Sequence, residues 1–192
     1  IPAEPFMKLI QANRMDQFAT RYPTYSDLEE YCRHSANPVG HMVLYVCGYR
    51  DEERQHLSDA TCTALQLANF WQDVSRDLSK GRVYIPTEDM ERFGYTEDDL
   101  ARGVVDDRFR SLMAFEVDRA RTLFRRGLGL IDRLDGNLKL DIALFSLGGM
   151  RLLDAIERQE FDVLSRRPVV SKAAKLLLML GTALKIKLRG RL

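Results

Sequence analysis

Apolar residues recur every three or four positions through most of the chain, and this period predicts an all-α protein. A first helix is expected from about Glu4 to Ala19. Tyr22-Pro23-Thr24 then breaks the chain, and Ser26 with Glu29 three residues on reads as a capping box opening the next helix. Asn37-Pro38 interrupts or kinks that helix, which resumes through Val43, Leu44 and Val46 as far as Gly48. Glu52 to about Leu78 reads as one long helix ended by Lys80-Gly81, because glycine is the usual residue just past a helix end. Residues from about Arg82 to Gly103 read as loop with a short helix near Glu88 to Phe93. Only Val83 to Ile85 hint at extended chain.

Two further helices follow. Phe109, Leu112, Met113, Val117, Ala120, Leu123 and Phe124 form one amphipathic face. The stretch from Ile142 to Ile156 is apolar nearly all round, which predicts a central helix. Pro168 breaks the chain again, and a basic helix ends it. No repeat, low-complexity tract or linker divides the sequence, so residues 1–192 read as part of one helical domain.

One stripe of the long helix carries chemistry. At about 100° per residue, Gln66, Asn69, Asp73 and Asp77 fall within an arc of about 80°. Asp73 and Asp77 are the only acidic pair four residues apart in the chain. In a cleft such a pair costs about 3 kcal/mol, at ~6 Å and an effective dielectric of ~20. A divalent cation reverses that sign. Mg²⁺ takes oxygen ligands and joins one or two carboxylates to substrate phosphates, and Asn69 adds a neutral oxygen. The plainer reading, a solvated helix face, fits poorly with Leu65, Leu67, Ala68, Phe70, Trp71 and Val74 on both flanks. Lys80-Gly81-Arg82 follows at once. A cationic turn there suits an anionic leaving group such as diphosphate, although a lysine near a helix end is favourable in any case.

Composition sets the bounds. A net charge of +1 gives no footprint for nucleic acid, and no apolar run reaches the roughly 18 residues a membrane span needs. Three cysteines without a CxxC read as buried thiols in a reducing cytosol, and three histidines without HExxH give no zinc motif. After Asp162 the chain has no acid, while eight Lys and Arg residues, among them Arg189 and Arg191, are interleaved with leucines. Residues 166–192 therefore read either as a peripheral contact with an anionic membrane or as a last core helix with snorkelling lysines.

The run from Gln66 through Asn69, Asp73 and Asp77, followed by Gly81-Arg82-Val83-Tyr84-Ile85-Pro86, resembles the second aspartate-rich motif of squalene and phytoene synthases. Tyr31-Cys32, Ala36 and Val39-Gly40 resemble the other signature of that family. The resemblance implies an isoprenoid-synthase helical bundle around a central cavity; the cysteines and the basic tail predict a cytoplasmic protein or one peripheral at the inner face of the membrane. It implies Mg²⁺ held by Asp73, Asp77 and Asn69. Prenyl diphosphate would meet Gln66, Asn69, Arg82 and Tyr84, and Tyr31 would stand near the reacting carbons.

The wording around Asn37-Pro38 and Phe70-Trp71-Gln72 resembles the bacterial hydroxysqualene synthase branch, which turns presqualene diphosphate and water into hydroxysqualene and diphosphate. Relatives using farnesyl or geranylgeranyl diphosphate to make squalene or phytoene are the alternatives, as is a non-catalytic partner of a full-length synthase. The first aspartate-rich motif of the family is absent from these residues. The sequence therefore reads as the C-terminal two-thirds of such a domain, expected to be inactive alone.

Overall fold

A computed structural model describes residues 1–189, excluding the side chain of Arg189. The expectation for Arg189 and Arg191 in the basic tail lies outside the described side chains. Nine α-helices and one 3-10 helix are present among the described residues, and no strand. They are α1 (Glu4–Met15), α2 (Tyr25–Ser35), α3 (Asn37–Val46), α4 (Glu52–Leu78), α5 (Thr87–Arg92), α6 (Glu97–Ala101) and α7 (Asp107–Gly127). The 3-10 helix Leu128–Arg133, α8 (Gly136–Arg158) and α9 (Lys172–Arg189) complete the chain.

The long helix is the axis of the fold: α4 packs against α2, α3, α7, α8 and the 3-10 helix. Its start is set by Asp51, whose carboxylate accepts the Arg54 amide at 3.0 Å. Its end is set by Gly81, at φ +76. Leu67, Trp71 and Val74 of α4 share one core with Phe109, Leu112, Met113, Val117 and Phe124 of α7, as the apolar spacing of α7 predicts.

Several local expectations are corrected. α1 stops at Met15 rather than Ala19, with Asp16 as its last half-helical residue. The capping box of α2 uses Thr24 and Asp27, not Ser26 and Glu29; Glu29 pairs with Arg33 instead. The segment Val83–Ile85 forms no strand, and the loop after it holds a second short helix, α6, with its own Thr96–Asp99 capping box.

The helix expected to be central, α8, is buried on one face only, for Phe145 is largely exposed. Its inner face includes Gly149, where a Cβ would lie 2.2 Å from the Phe124 ring, so only glycine allows α8 this close to α7. Of the cysteines, Cys32 is buried, Cys62 half-buried and Cys47 exposed, and none is paired; the expectation of buried thiols is right for Cys32 alone.

Candidate active site

The helix α4 carries the stripe but does not run straight through it. Asp73 has φ −107 and ψ 16, a break in the helix five residues before its end at Leu78. The constant step of an ideal helix therefore does not hold from Asp73 to Asp77. The break coincides with a crossing segment after α8. Gln72 donates its amide to the Pro168 carbonyl at 2.6 Å and accepts from Arg167 at 2.8 Å.

Arg167 closes on Asp73 with two parallel bonds, Nε to Oδ1 at 2.7 Å and Nη2 to Oδ2 at 2.9 Å. Arg76 stands 3.5 Å away. The Arg167 hydrogen bonds hold the Asp73 carboxyl below the usual carboxylate range, against a smaller opposing effect of burial. Asp77 meets Lys80 at 3.4 Å. The structure thus sets each of the two predicted carboxylates against a cation of the protein.

Gln66 is half-buried and Asn69 exposed, and neither side chain makes a hydrogen bond among the described residues. Their polar atoms are open to a ligand or to water.

The second half of the site is aromatic. Tyr84 stacks on Phe70 with ring centres 3.8 Å apart and 9° between the planes. Tyr31 lies 6.2 Å from Tyr84 and 6.3 Å from Phe70, and Tyr22 lies 5.6 Å from Tyr31. The Tyr31 hydroxyl donates to Asp16 Oδ1 at 2.9 Å. Burial, and then this bond to a carboxylate, push the Tyr31 phenol above its ordinary range, so it stays protonated. Arg82 donates to Tyr84 at 3.4 Å and to the Asp16 carbonyl at 3.2 Å. Asp77, Arg82, Tyr84 and Phe70 share one recess of about 10 Å³, so the carboxylate end and the aromatic wall are continuous.

Of the residues named from sequence, Tyr31, Arg82, Tyr84 and Asp77 come together, and Asp73 stands one turn before Asp77. Gln66 and Asn69 extend the stripe toward the other end of α4. Two participants were missed. Asp16 is a lone carboxylate after an ordinary amphipathic helix and carries no sequence signal. Arg167 was visible only as one base of a basic tail.

The donor set fits a divalent cation in part. Asp73, Asp77 and Asn69 offer hard oxygens of the kind Mg²⁺ takes, leaving positions for phosphate oxygens and water. No group of three or more His, Cys, Asp or Glu able to hold a metal occurs among the described residues. Two carboxylates and an amide would make only one side of a metal site, and Arg167 would have to yield Asp73 for a cation to use it.

A helical bundle of this kind, organised about one long central helix, has the isoprenoid-synthase fold. The fold matches that of a dehydrosqualene synthase solved with a ligand, with a TM-score of 0.89 over 97% of this chain and 66% of that one, at 24% identity. The family model for squalene/phytoene synthase matches residues 1–174, and the chain belongs to that family. The structure of the squalene synthase HpnC from Alicyclobacillus acidocaldarius is similar at 49% identity and a TM-score of 0.82, covering 84% of this chain and 61% of that one. Among curated relatives, the 15-cis-phytoene synthase of Synechocystis sp. is 39% identical over 189 residues, covering 91% of this chain and 55% of that protein. That of Synechococcus elongatus is 34% identical over 185 residues, with 90% and 60% covered. The chain spans little more than half the length of these curated relatives.

Proposed function

We propose that this chain supplies one metal–diphosphate half and part of the cavity wall of a Mg²⁺-dependent isoprenoid synthase. The reaction it fits best converts presqualene diphosphate and water to hydroxysqualene and diphosphate. The observation that carries the reading is the pairing, on one end of α4, of two carboxylates set against Arg76, Lys80 and Arg167 with a wall of Tyr22, Tyr31, Phe70 and Tyr84, to which Arg82 is hydrogen-bonded. Identity of 49% to a structure described as a squalene synthase, against 39% to a phytoene synthase, favours squalene-type chemistry over phytoene-type.

Asp73 and Asp77, with Asn69, would hold Mg²⁺, which supplies charge to the leaving diphosphate. The rest falls to the chain. Arg82 and Lys80 stand where the departing diphosphate gathers negative charge, and Arg167 joins them once free of Asp73. The carbon–oxygen bond breaks with its electron pair leaving on diphosphate, and a carbocation remains. Stacked rings attract a cation without attacking it, and the phenols of Tyr31 and Tyr84 stay protonated because burial raises both. Asp16, hydrogen-bonded to Tyr31, holds that ring in place and adds negative charge behind it. The three-membered ring of this cyclopropylcarbinyl cation opens and the skeleton rearranges, water adds to the resulting cation, and its proton passes to the departed diphosphate, leaving hydroxysqualene and diphosphate.

The test is an assay of the protein as its gene encodes it, with Mg²⁺ and presqualene diphosphate, followed by analysis of the lipid extract. Hydroxysqualene that falls at least about a thousandfold in Asp73→Ala is the expected result. Product from farnesyl or geranylgeranyl diphosphate alone would retain the class and overturn the reaction. With one carboxylate pair in place of two clusters, the 192-residue chain by itself is expected to show negligible turnover.

A further inference from the structure

The last helix is built on two faces. Ala174, Leu178, Thr182 and Ile186 step along the side that packs on α8, and Thr182 is buried there. The opposite side is apolar and uncovered. Leu176, Leu180, Leu184 and Leu188 are four apart, each turning about 40° further round the helix, and with Leu177 they fill an arc of about 120°. These five are between 57% and 74% exposed, a density of uncovered leucine found on no other helix among the described residues.

Charge says what this face meets. Lys172, Lys175, Lys185 and Lys187 belong to the same helix, and none makes an ion pair among the described residues. The sequence has no acid after Asp162. A second copy laid on this face would bring lysines against lysines with no carboxylate between them. A protein partner is the poorer fit as well, because strong protein contacts centre on Trp, Tyr and Arg, whereas α9 has none of these before Arg189 and offers leucine. A wide leucine face bordered by uncompensated lysines suits the boundary between anionic headgroups and acyl chains. Lys187, inside the arc, can lay its stem along the leucines and lift its ammonium to the headgroups. No helix among the described residues is long and apolar enough to cross a bilayer, so the contact is one of lying on the surface.

We propose that the outward face of α9, Leu176–Leu177–Leu180–Leu184–Leu188, docks the protein on an anionic lipid surface. The proposal does not depend on which prenyl diphosphate is turned over.

It is tested with vesicles of phosphatidylcholine alone and of phosphatidylcholine mixed with phosphatidylglycerol. The chain is expected to co-sediment with the mixed vesicles and to release in high salt. Leu180→Glu/Leu184→Glu, at exposed positions, is expected to weaken partitioning by about a hundredfold while leaving the helical circular dichroism unchanged. A second variant keeps the face apolar. Trp71, the single native tryptophan, is fully buried, so in Leu184→Trp any lipid-induced blue shift comes from α9. A shift with mixed vesicles only is the expected outcome. Emission indifferent to both vesicles, or co-sedimentation unaffected by the double Glu variant, overturns the proposal. So does a concentration-dependent dimer in the absence of lipid that the double Glu variant dissolves, which would make a second copy the occupant.

Discussion

Two arginines in this molecule close on carboxylates, and the contrast between them separates structure from function. Arg119 of α7 bridges Asp89 at 2.7 Å and Glu116 at 2.8 Å, with the carboxylate side chains 5% and 0% exposed. The rings of Tyr25 and Phe115 cover its guanidinium at 4.0 and 4.6 Å. Arg167 grips Asp73 with two bonds of 2.7 and 2.9 Å, but the two side chains are 32% and 23% exposed. The chemistry is the same and the surroundings differ. A pair shut away from water cannot exchange its cation without stranding a buried charge. A pair at the edge of a cleft can trade a guanidinium for another cation at small cost.

The largest expected effect tests the buried side of the contrast. Arg119→Ala leaves the Asp89 carboxylate in the core beside the protonated Glu116, without a positive partner. Breaking such a cluster is expected to cost about 3–5 kcal/mol and to lower Tm by roughly 10 °C. Chemical and thermal denaturation would show it. A loss under about 1 kcal/mol would mean that water reaches the cluster and that the contrast with Arg167 is false.

A smaller effect comes from the proton that the buried cluster holds. Burial pushes the Glu116 carboxyl up to about 8 from 4.5, with nearby Asp89 raising it and Arg119 opposing. Its Oε1 has no hydrogen-bond partner among the described residues. The native state therefore keeps a proton that the unfolded chain releases. The associated stability is fully present below about 4.5, and it is lost as pH rises through about 8. The slope in that window is at most about 1.4 kcal/mol per pH unit. Glu116→Gln, which is neutral at every pH, is expected to flatten the curve between these limits when denaturation midpoints are measured across them. Asp73 runs the other way. Its carboxyl is held low, so its contribution is present above the unfolded value and is lost as pH falls through the folded one.

The same contrast explains what the sequence could reveal. The limits of α4 were legible because Asp51 and Gly81 act locally, one accepting an amide three residues on and the other turning the chain at positive φ. The alignment of Gln66, Asn69 and Asp73 was legible because helical period is a local property, whereas the break at Asp73 that offsets Asp77 was not. The α2 cap was misplaced because Thr24–Asp27 and Ser26–Glu29 offer the same chemistry in two registers. The choice is made from outside: Glu88 accepts the Tyr25 amide from 63 residues away. Arg167 lies 94 residues from Asp73 and reaches it only through the packing of the segment after α8 on Gln72. Asp16 joins Tyr31 across the α1–α2 turn, where no periodicity links them. Nothing in one dimension distinguished Arg167 from Arg166 beside it.

Arg167→Ala tests the exchangeable side and carries the smallest expected change in stability. The segment that bears Arg167 remains tied by the bond from Gln72 to the Pro168 carbonyl at 2.6 Å, so the fold does not rest on the guanidinium. Denaturation is expected to show a loss below about 1 kcal/mol, as for other partly exposed ion pairs. Asp73, however, loses a competitor that occupies both of its oxygens. Titration with Mg²⁺ alone, followed by calorimetry, is expected to show tighter binding by about fivefold, which corresponds to about 1 kcal/mol. Asp73→Asn should abolish that gain, since an amide cannot replace the charge. If Arg167→Ala weakens Mg²⁺ binding, the arginine supports the carboxylate instead of competing for it. If the variant loses as much stability as Arg119→Ala, the pair at Asp73 is a structural one, and the distinction between the two arginines fails.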